Sequence, residues 1–386
     1  MTRKNFRTGR FPRNDIMSLT ETTPRFDLAE SVGPDLALRD LLGTAETSDE
    51  LDALALGYGT AQGDPALRRA IAARHGVDAD DVVVTVGGMH ALFLAAFALC
   101  ERGDEVVTTS PLFPSTRSTL AAVKAEIKTV DLTFDAGYRL APADVAVMLS
   151  PRTRLVSIAS PQNPSGVAVS AADIGGMLDA MAKICPDAFL LVDETYREAV
   201  YGENQPSASA ATLATNVIVT TSLSKCHGAP GLRIGWAIIR DRELREQFVL
   251  GKFNTVISCS RVDEALALRV LHKQDQIIDT RRSQLSGGLV RTEQWVRRNE
   301  TLVDWVRPDA GGLCCVRLKP EVFDEAAVQR VYTAAAHAGV RVGNGSWFGE
   351  QDRVFRLGFG LLTMDDLELG LAALTSALHN ALEKAA

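Results

Sequence analysis

The sequence predicts an α/β fold: a large domain on a mostly parallel, seven-stranded sheet between two helical layers, followed by a smaller α+β domain. Three observations carry this reading. Seven short apolar, β-branched runs lie between residues 81 and 239, and they are continuously apolar rather than alternating. Such runs belong to strands covered on both faces. Helical stretches separate most of them, so right-handed crossovers make neighbouring strands parallel. Beyond about residue 280 the rhythm changes to a long polar helix followed by separated short strands and helices. A chain of 386 residues is long enough for two such cores.

The elements follow in order. "DVVVTV" (81–86) runs through Gly87 and Gly88 into an apolar helix over 89–101. "DEVVTT" (104–109) precedes "SPLFPSTRSTLAAV", whose later part reads as helix. The strands "EIKTVDL" (126–132), "TRLVSIAS" (153–160), "AFLLVD" (188–193), "NVIVTTS" (216–222) and "RIGWAII" (233–239) complete the sheet. An arginine-rich helix over 281–300 opens the second domain, then "LVDWVRP", "GLCCVRL", a helix near 325–338, "GVRV", "VFRLGFG" and a terminal helix. The expected organisation is a flexible basic arm over 1–25, a segment over 26–49 packing with the small domain, the large domain over 50–280 and the small domain over 281–386.

Composition narrows the function. Apolar residues make up 46% and charged residues 23%, an ordinary globular balance. A net charge of −7 argues against binding nucleic acid through phosphate attraction. The arm carries Arg3, Lys4, Arg7, Arg10, Arg13 and Arg25 without an apolar stretch, unlike a secretory signal. The longest apolar run, "ALFLAAFALC" (91–100), is too short to span a bilayer. None of the six cysteines forms a CxxC pair, and the histidines lack metal-ligand spacing. Free thiols in the cytoplasm, no metal and no membrane contact are the expectations.

Polar residues gather where the strands end, which is where parallel sheets bind ligands. "VTVGGMHAL" offers the backbone N–H groups of Gly88 and Met89 at a helix start, an anion site or a plain Gly-Gly turn. "VDETY" places Asp193 after a buried strand with Tyr196 three residues on; a helix-capping acid is the alternative. "SPQNPSG" sets Asn163 between prolines, as an ordinary turn also does. "SLSKCHGAPGLRIGW" surrounds Lys225 with Ser222, Ser224 and Arg233, a set suited to an anion.

Taken together, "YGTAQGDPALRRAI", "PQNPSG", "LVDETYREAVY", "SLSK…PGLRIGW" and "FRLGFG" resemble the fold-type-I, pyridoxal-phosphate-dependent aminotransferases of class I/II in order and spacing. The resemblance implies a pyridoxal 5′-phosphate cofactor and a role for each residue. Lys225 forms the Schiff base and then shuttles the proton. Asp193 pairs with the ring nitrogen, while Tyr196 and Asn163 bond the phenolate oxygen. Phe113 stacks on the ring, and Gly88, Met89, Ser222, Ser224 and Arg233 hold the phosphate. Tyr58 reaches the phosphate of a neighbouring subunit, implying a homodimer with shared sites. Arg356 forks onto the substrate α-carboxylate, a geometry lysine cannot supply.

The segment "DLAESVGPDL" (27–36) departs from the family pattern, with Glu30 and Ser31 where apolar residues or glycine are usual. A carboxylate there favours a cationic substrate side chain; a surface or capping glutamate is the alternative. His227 reads as a turn residue. The expected activity is amino-group transfer between an L-amino acid and a 2-oxo acid. Its rivals are elimination with ring closure on a hydroxylated, arginine-like amino acid, and a non-catalytic binding protein.

Overall fold

The computed structural model describes residues 13–42 and 51–383. β1 (Phe26–Leu28) stands apart from the next seven strands. Those are β2 (Val82–Val86), β3 (Glu105–Ser110), β4 (Glu126–Asp131), β5 (Thr153–Ala159), β6 (Phe189–Asp193), β7 (Val217–Ser222) and β8 (Ile234–Ile239). They form one sheet in the order β2-β8-β7-β6-β5-β3-β4. Every pairing is parallel except those of β8, which runs antiparallel to both neighbours. The mixed α/β architecture and the seven-stranded, mostly parallel sheet are as expected.

Burial explains the continuous apolar runs. Val82 and Val84 belong to one core cluster and Val83 to another, so alternate residues of β2 face opposite, equally covered sides. Helices such as Ala171–Ile184 cover one face, and Gly87–Leu99 covers the other.

The second sheet has the order β1-β11-β12-β10-β9, built from β9 (Val303–Val306), β10 (Leu313–Leu318), β11 (Val340–Asn344) and β12 (Val354–Gly358). β1 joins it parallel to β11, and Phe26 and Leu28 enter its core beside Trp295, Leu357 and Leu374. The N-terminal segment is thus attached to the small sheet; residues 43–49 lie outside the described residues.

Two boundaries differ from expectation. The helix expected over 281–300 spans Gln274–Arg298, so it straddles the anticipated domain boundary. Only Lys273 separates it from the helix Arg261–His272. Where a free arm is expected, residues 15–21 form short helical turns, Ile16 is buried, and Asn14 Nδ2 donates to the Trp347 carbonyl at 3.2 Å. Residues 1–12 of that arm lie outside the described residues. All six cysteines are buried and unpaired. Among the described residues no helix is long and apolar enough to cross a membrane.

Candidate active site

The carboxyl ends of β2, β3, β5, β6 and β7 converge on one cavity of about 300 Å³. Because β8 is antiparallel, its N-terminal end lies at this same edge, which brings Arg233 to the cavity with the rest. The cavity is lined by ten of the anticipated residues: Gly88, Met89, Phe113, Asn163, Asp193, Tyr196, Ser222, Ser224, Lys225 and Arg233.

One end of the cavity is a cup for an anion. β2 passes directly into the helix Gly87–Leu99, whose first N–H groups lack partners within the helix. Gly87 has φ +73°, and a Cβ there would meet the Arg233 guanidinium at 2.5 Å, so glycine lets the arginine lie against the turn. Arg233 itself adopts a left-handed φ of 50°, a strain of the kind found at ligand clamps. Its Nη1 donates to the Pro230 carbonyl at 2.9 Å. The Ser222 hydroxyl accepts from the Ser224 N–H at 3.3 Å and keeps its own proton for a ligand.

Asp193 ends β6. Its Oδ1 accepts from Thr195 N at 3.0 Å and Thr195 Oγ1 at 2.5 Å. Burial raises its pKa, opposed by those two bonds and by the Lys225 charge. Tyr196 is pushed up to about 12, chiefly by burial. Its hydroxyl accepts from Asn163 Nδ2 at 3.4 Å and donates to Ser31 Oγ at 2.9 Å. Lys225 is pushed down to about 8, first by burial; Glu30 and Asp193 oppose the shift, while Arg356 and Arg233 add to it.

Arg356 lies outside the main cavity lining but adjoins it through Asn163, whose Oδ1 accepts from Arg356 Nη1 at 2.9 Å. Its Nε and Nη2 both donate to the Ala29 carbonyl, and its guanidinium lies over the Phe348 ring, 4.7 Å from the centroid. A guanidinium carries five N–H bonds. Those contacts use three, leaving one N–H on each terminal nitrogen.

Glu30 is half-buried and lies off the cavity lining, yet its charge acts on both Lys225 and Arg356. Tyr58 is not brought to this site: it is 81% exposed, on a surface depression with Ser258, Cys259 and Arg261. His227 is buried away from the cavity, with Nε2 3.4 Å from Glu198 Oε2.

Three contributors escaped sequence reasoning. Thr195, two residues past Asp193, follows an Asx-turn pattern that could have revealed it. Ser31 was visible as a departure from the family segment, without a role. The Ala29 carbonyl gives no sequence signal.

A family model described as aminotransferase class I and II matches residues 24–374. Capreomycidine synthase of Streptomyces vinaceus is 32% identical over 339 residues, covering 88% of this chain and 84% of that protein. An arginine–pyruvate transaminase of Pseudomonas aeruginosa is 34% identical over 200 residues, 49% of this chain and 50% of its own length. Among solved structures, the PLP-dependent cyclase OrfR superposes with a TM-score of 0.86 at 25% identity, covering 98% of this chain and all (100%) of that one. A PLP-dependent aminotransferase of Streptococcus suis shares the fold, with a TM-score of 0.87 at 23% identity over 96% of this chain and 99% of its own. The cofactor is accordingly pyridoxal 5′-phosphate. The residues present fit it: an amine for its aldehyde, a buried carboxylate for its ring nitrogen, a phenol and an amide for its phenolate oxygen, and the cup for its phosphate.

Proposed function

We propose that this chain, which belongs to the class I and II aminotransferase family, moves the amino group of an L-amino acid bearing a cationic side chain to a 2-oxo acid. The observation that carries the substrate class is Glu30, a half-buried carboxylate whose charge acts on both Lys225 and Arg356. A carboxylate whose charge reaches both the amine and the α-carboxylate site favours a substrate with a compensating positive group, such as a guanidinium.

Bound pyridoxal phosphate supplies the electron sink for charge that develops at the substrate's α-carbon. The chain's own residues do the rest. Arg356 offers its two remaining terminal N–H groups to the α-carboxylate, with Ala29 and Asn163 fixing the plane of the guanidinium. Lys225, with a pKa near 8, is partly neutral around pH 7, so its Nζ can take a proton from the α-carbon and return it. Asp193 holds a negative charge against the ring nitrogen. The phosphate cup, made of Ser222, Ser224, Arg233 and the Gly88 and Met89 N–H groups, anchors the other end.

The exposed apolar side chains of Leu56, Tyr58 and Val262, which share one surface depression, support a homodimer in which Tyr58 completes the partner's cup. Six unpaired cysteines accord with a reducing, cytoplasmic setting.

A second reading keeps the site and changes the outcome: loss of a side-chain hydroxyl as water, with a guanidinium nitrogen closing the ring. Its support is the likeness to the PLP-dependent cyclase OrfR along nearly the whole chain, beside the alignment with capreomycidine synthase. The test is a panel of amino acids, including arginine and a hydroxylated arginine, each with and without 2-oxoglutarate. Transfer yields a new amino acid only when the 2-oxo acid is present. A product lighter by one water without 2-oxo acid favours ring closure. No reaction with any cationic amino acid refutes the substrate class.

A further inference from the structure

Three consecutive residues of the segment after β1 act on the site. The Ala29 carbonyl accepts from Arg356, the Glu30 charge acts on Lys225, and Ser31 Oγ accepts from Tyr196 Oη at 2.9 Å and from Lys225 Nζ at 3.3 Å. Ser31 is 4% exposed, so its two bonds face little competition from water. A hydroxyl oxygen has two lone pairs, and these contacts use both. The segment is carried by the small sheet through β1, whereas Lys225 and Tyr196 follow strands of the large one. It is also fastened beside Lys225: Leu36 N donates to the Gly228 carbonyl at 2.7 Å, and Arg281 donates to the Pro34 carbonyl.

We propose that Ser31 is a positioning residue for the Lys225 amine. Its hydroxyl holds Nζ beside Tyr196 whenever the amine is not bonded to the cofactor, so that the N-terminal segment sets the lysine's readiness to exchange a proton. The inference rests on Lys225 being the lysine that bonds the cofactor. A hydrogen bond to a charged group is stronger than one to a neutral group, so Ser31 favours the ammonium form. The other groups facing Lys225 are Glu30 and Asp193, which raise its proton affinity, and Arg356 and Arg233, which lower it. Tyr196 faces it across Ser31. All of these survive replacement of Ser31, so a change in Lys225 reports the hydroxyl.

The test compares Ser31→Ala and Ser31→Thr with the natural chain. In the full-length, cofactor-free protein, acylation of Lys225 by a small anhydride is followed by peptide mass spectrometry across pH. The natural chain should give a midpoint near 8. Ser31→Ala should lower the midpoint by about one unit; in the loaded enzyme the neutral amine becomes commoner but is no longer held in place, so kcat should fall roughly tenfold with KM changed less than about twofold. Ser31→Thr, which keeps the hydroxyl, should restore both. An unshifted midpoint in Ser31→Ala, or a raised KM with kcat unchanged, overturns the proposal. Mapping the reduced cofactor to a different lysine removes the premise itself, an outcome distinct from an unshifted midpoint.

Discussion

Replacing Asp193 by asparagine should stabilise the cofactor-free protein and disable the loaded one. Asparagine keeps a carbonyl oxygen for the two bonds from Thr195 and gives up only the charge. Without cofactor, burial raises the Asp193 pKa above 3.8 despite those bonds. The sign follows from linkage. A carboxyl whose pKa is raised on folding loses stability as pH climbs from the unfolded value through the folded one, and the whole penalty is present above it. At pH 7, well above the unfolded value, the asparagine variant escapes this penalty. Its urea midpoint should rise, and the gain should vanish near pH 3. With cofactor the sign reverses, because the carboxylate faces a protonated ring nitrogen. Breaking a buried ion pair costs about 3–5 kcal/mol, or roughly two to four orders of magnitude in kcat. The assay is paired urea curves with and without cofactor, at pH 3 and 7, beside steady-state kinetics. Near-normal turnover, or the same stability change in both forms, would refute the reasoning.

Two further outcomes are expected. Glu30→Gln keeps the side chain's shape and removes its charge; kcat/KM for cationic amino acids should fall about ten- to a hundredfold while neutral ones are spared. A uniform change across substrates would return Glu30 to a surface role. Mixing Tyr58→Phe with Lys225→Ala chains should restore up to one intact site per heterodimer, because Tyr58 serves the partner. Arg356→Ala mixed with Lys225→Ala should restore nothing, and equal recovery in both mixtures contradicts the shared-site arrangement.

The central strands were legible because both faces of the large sheet are buried there, so they appear as apolar runs, whereas the edge strand β4, "EIKTVD", is only partly covered and mixes polar residues in. β6 is the clearest case: "FLLV" ends on Asp193. The helix from Gln274 was misjudged at its start because "QDQ" carries no apolar stripe and only Lys273 marks the break from the preceding helix. The turns over 15–21 were missed because one buried residue, Ile16, is too weak a periodic signal. The cavity residues were readable from local motifs, since most end a strand at the same edge and Arg233 leads into the antiparallel β8 there. Ser31 and Ala29 were not readable as site groups. Their contacts join positions 165 and 327 residues apart in sequence, Ser31 to Tyr196 and Ala29 to Arg356, and only tertiary packing creates them.

Whether Lys225 is the residue on which the chemistry turns is tested most directly by reducing the cofactor-loaded protein with borohydride and mapping its peptides. The cofactor mass should appear on the peptide containing Ser224, Lys225 and Cys226, and Lys225→Ala should bind cofactor without covalent attachment. Attachment at any other lysine, or none in the natural chain, would contradict the assignment.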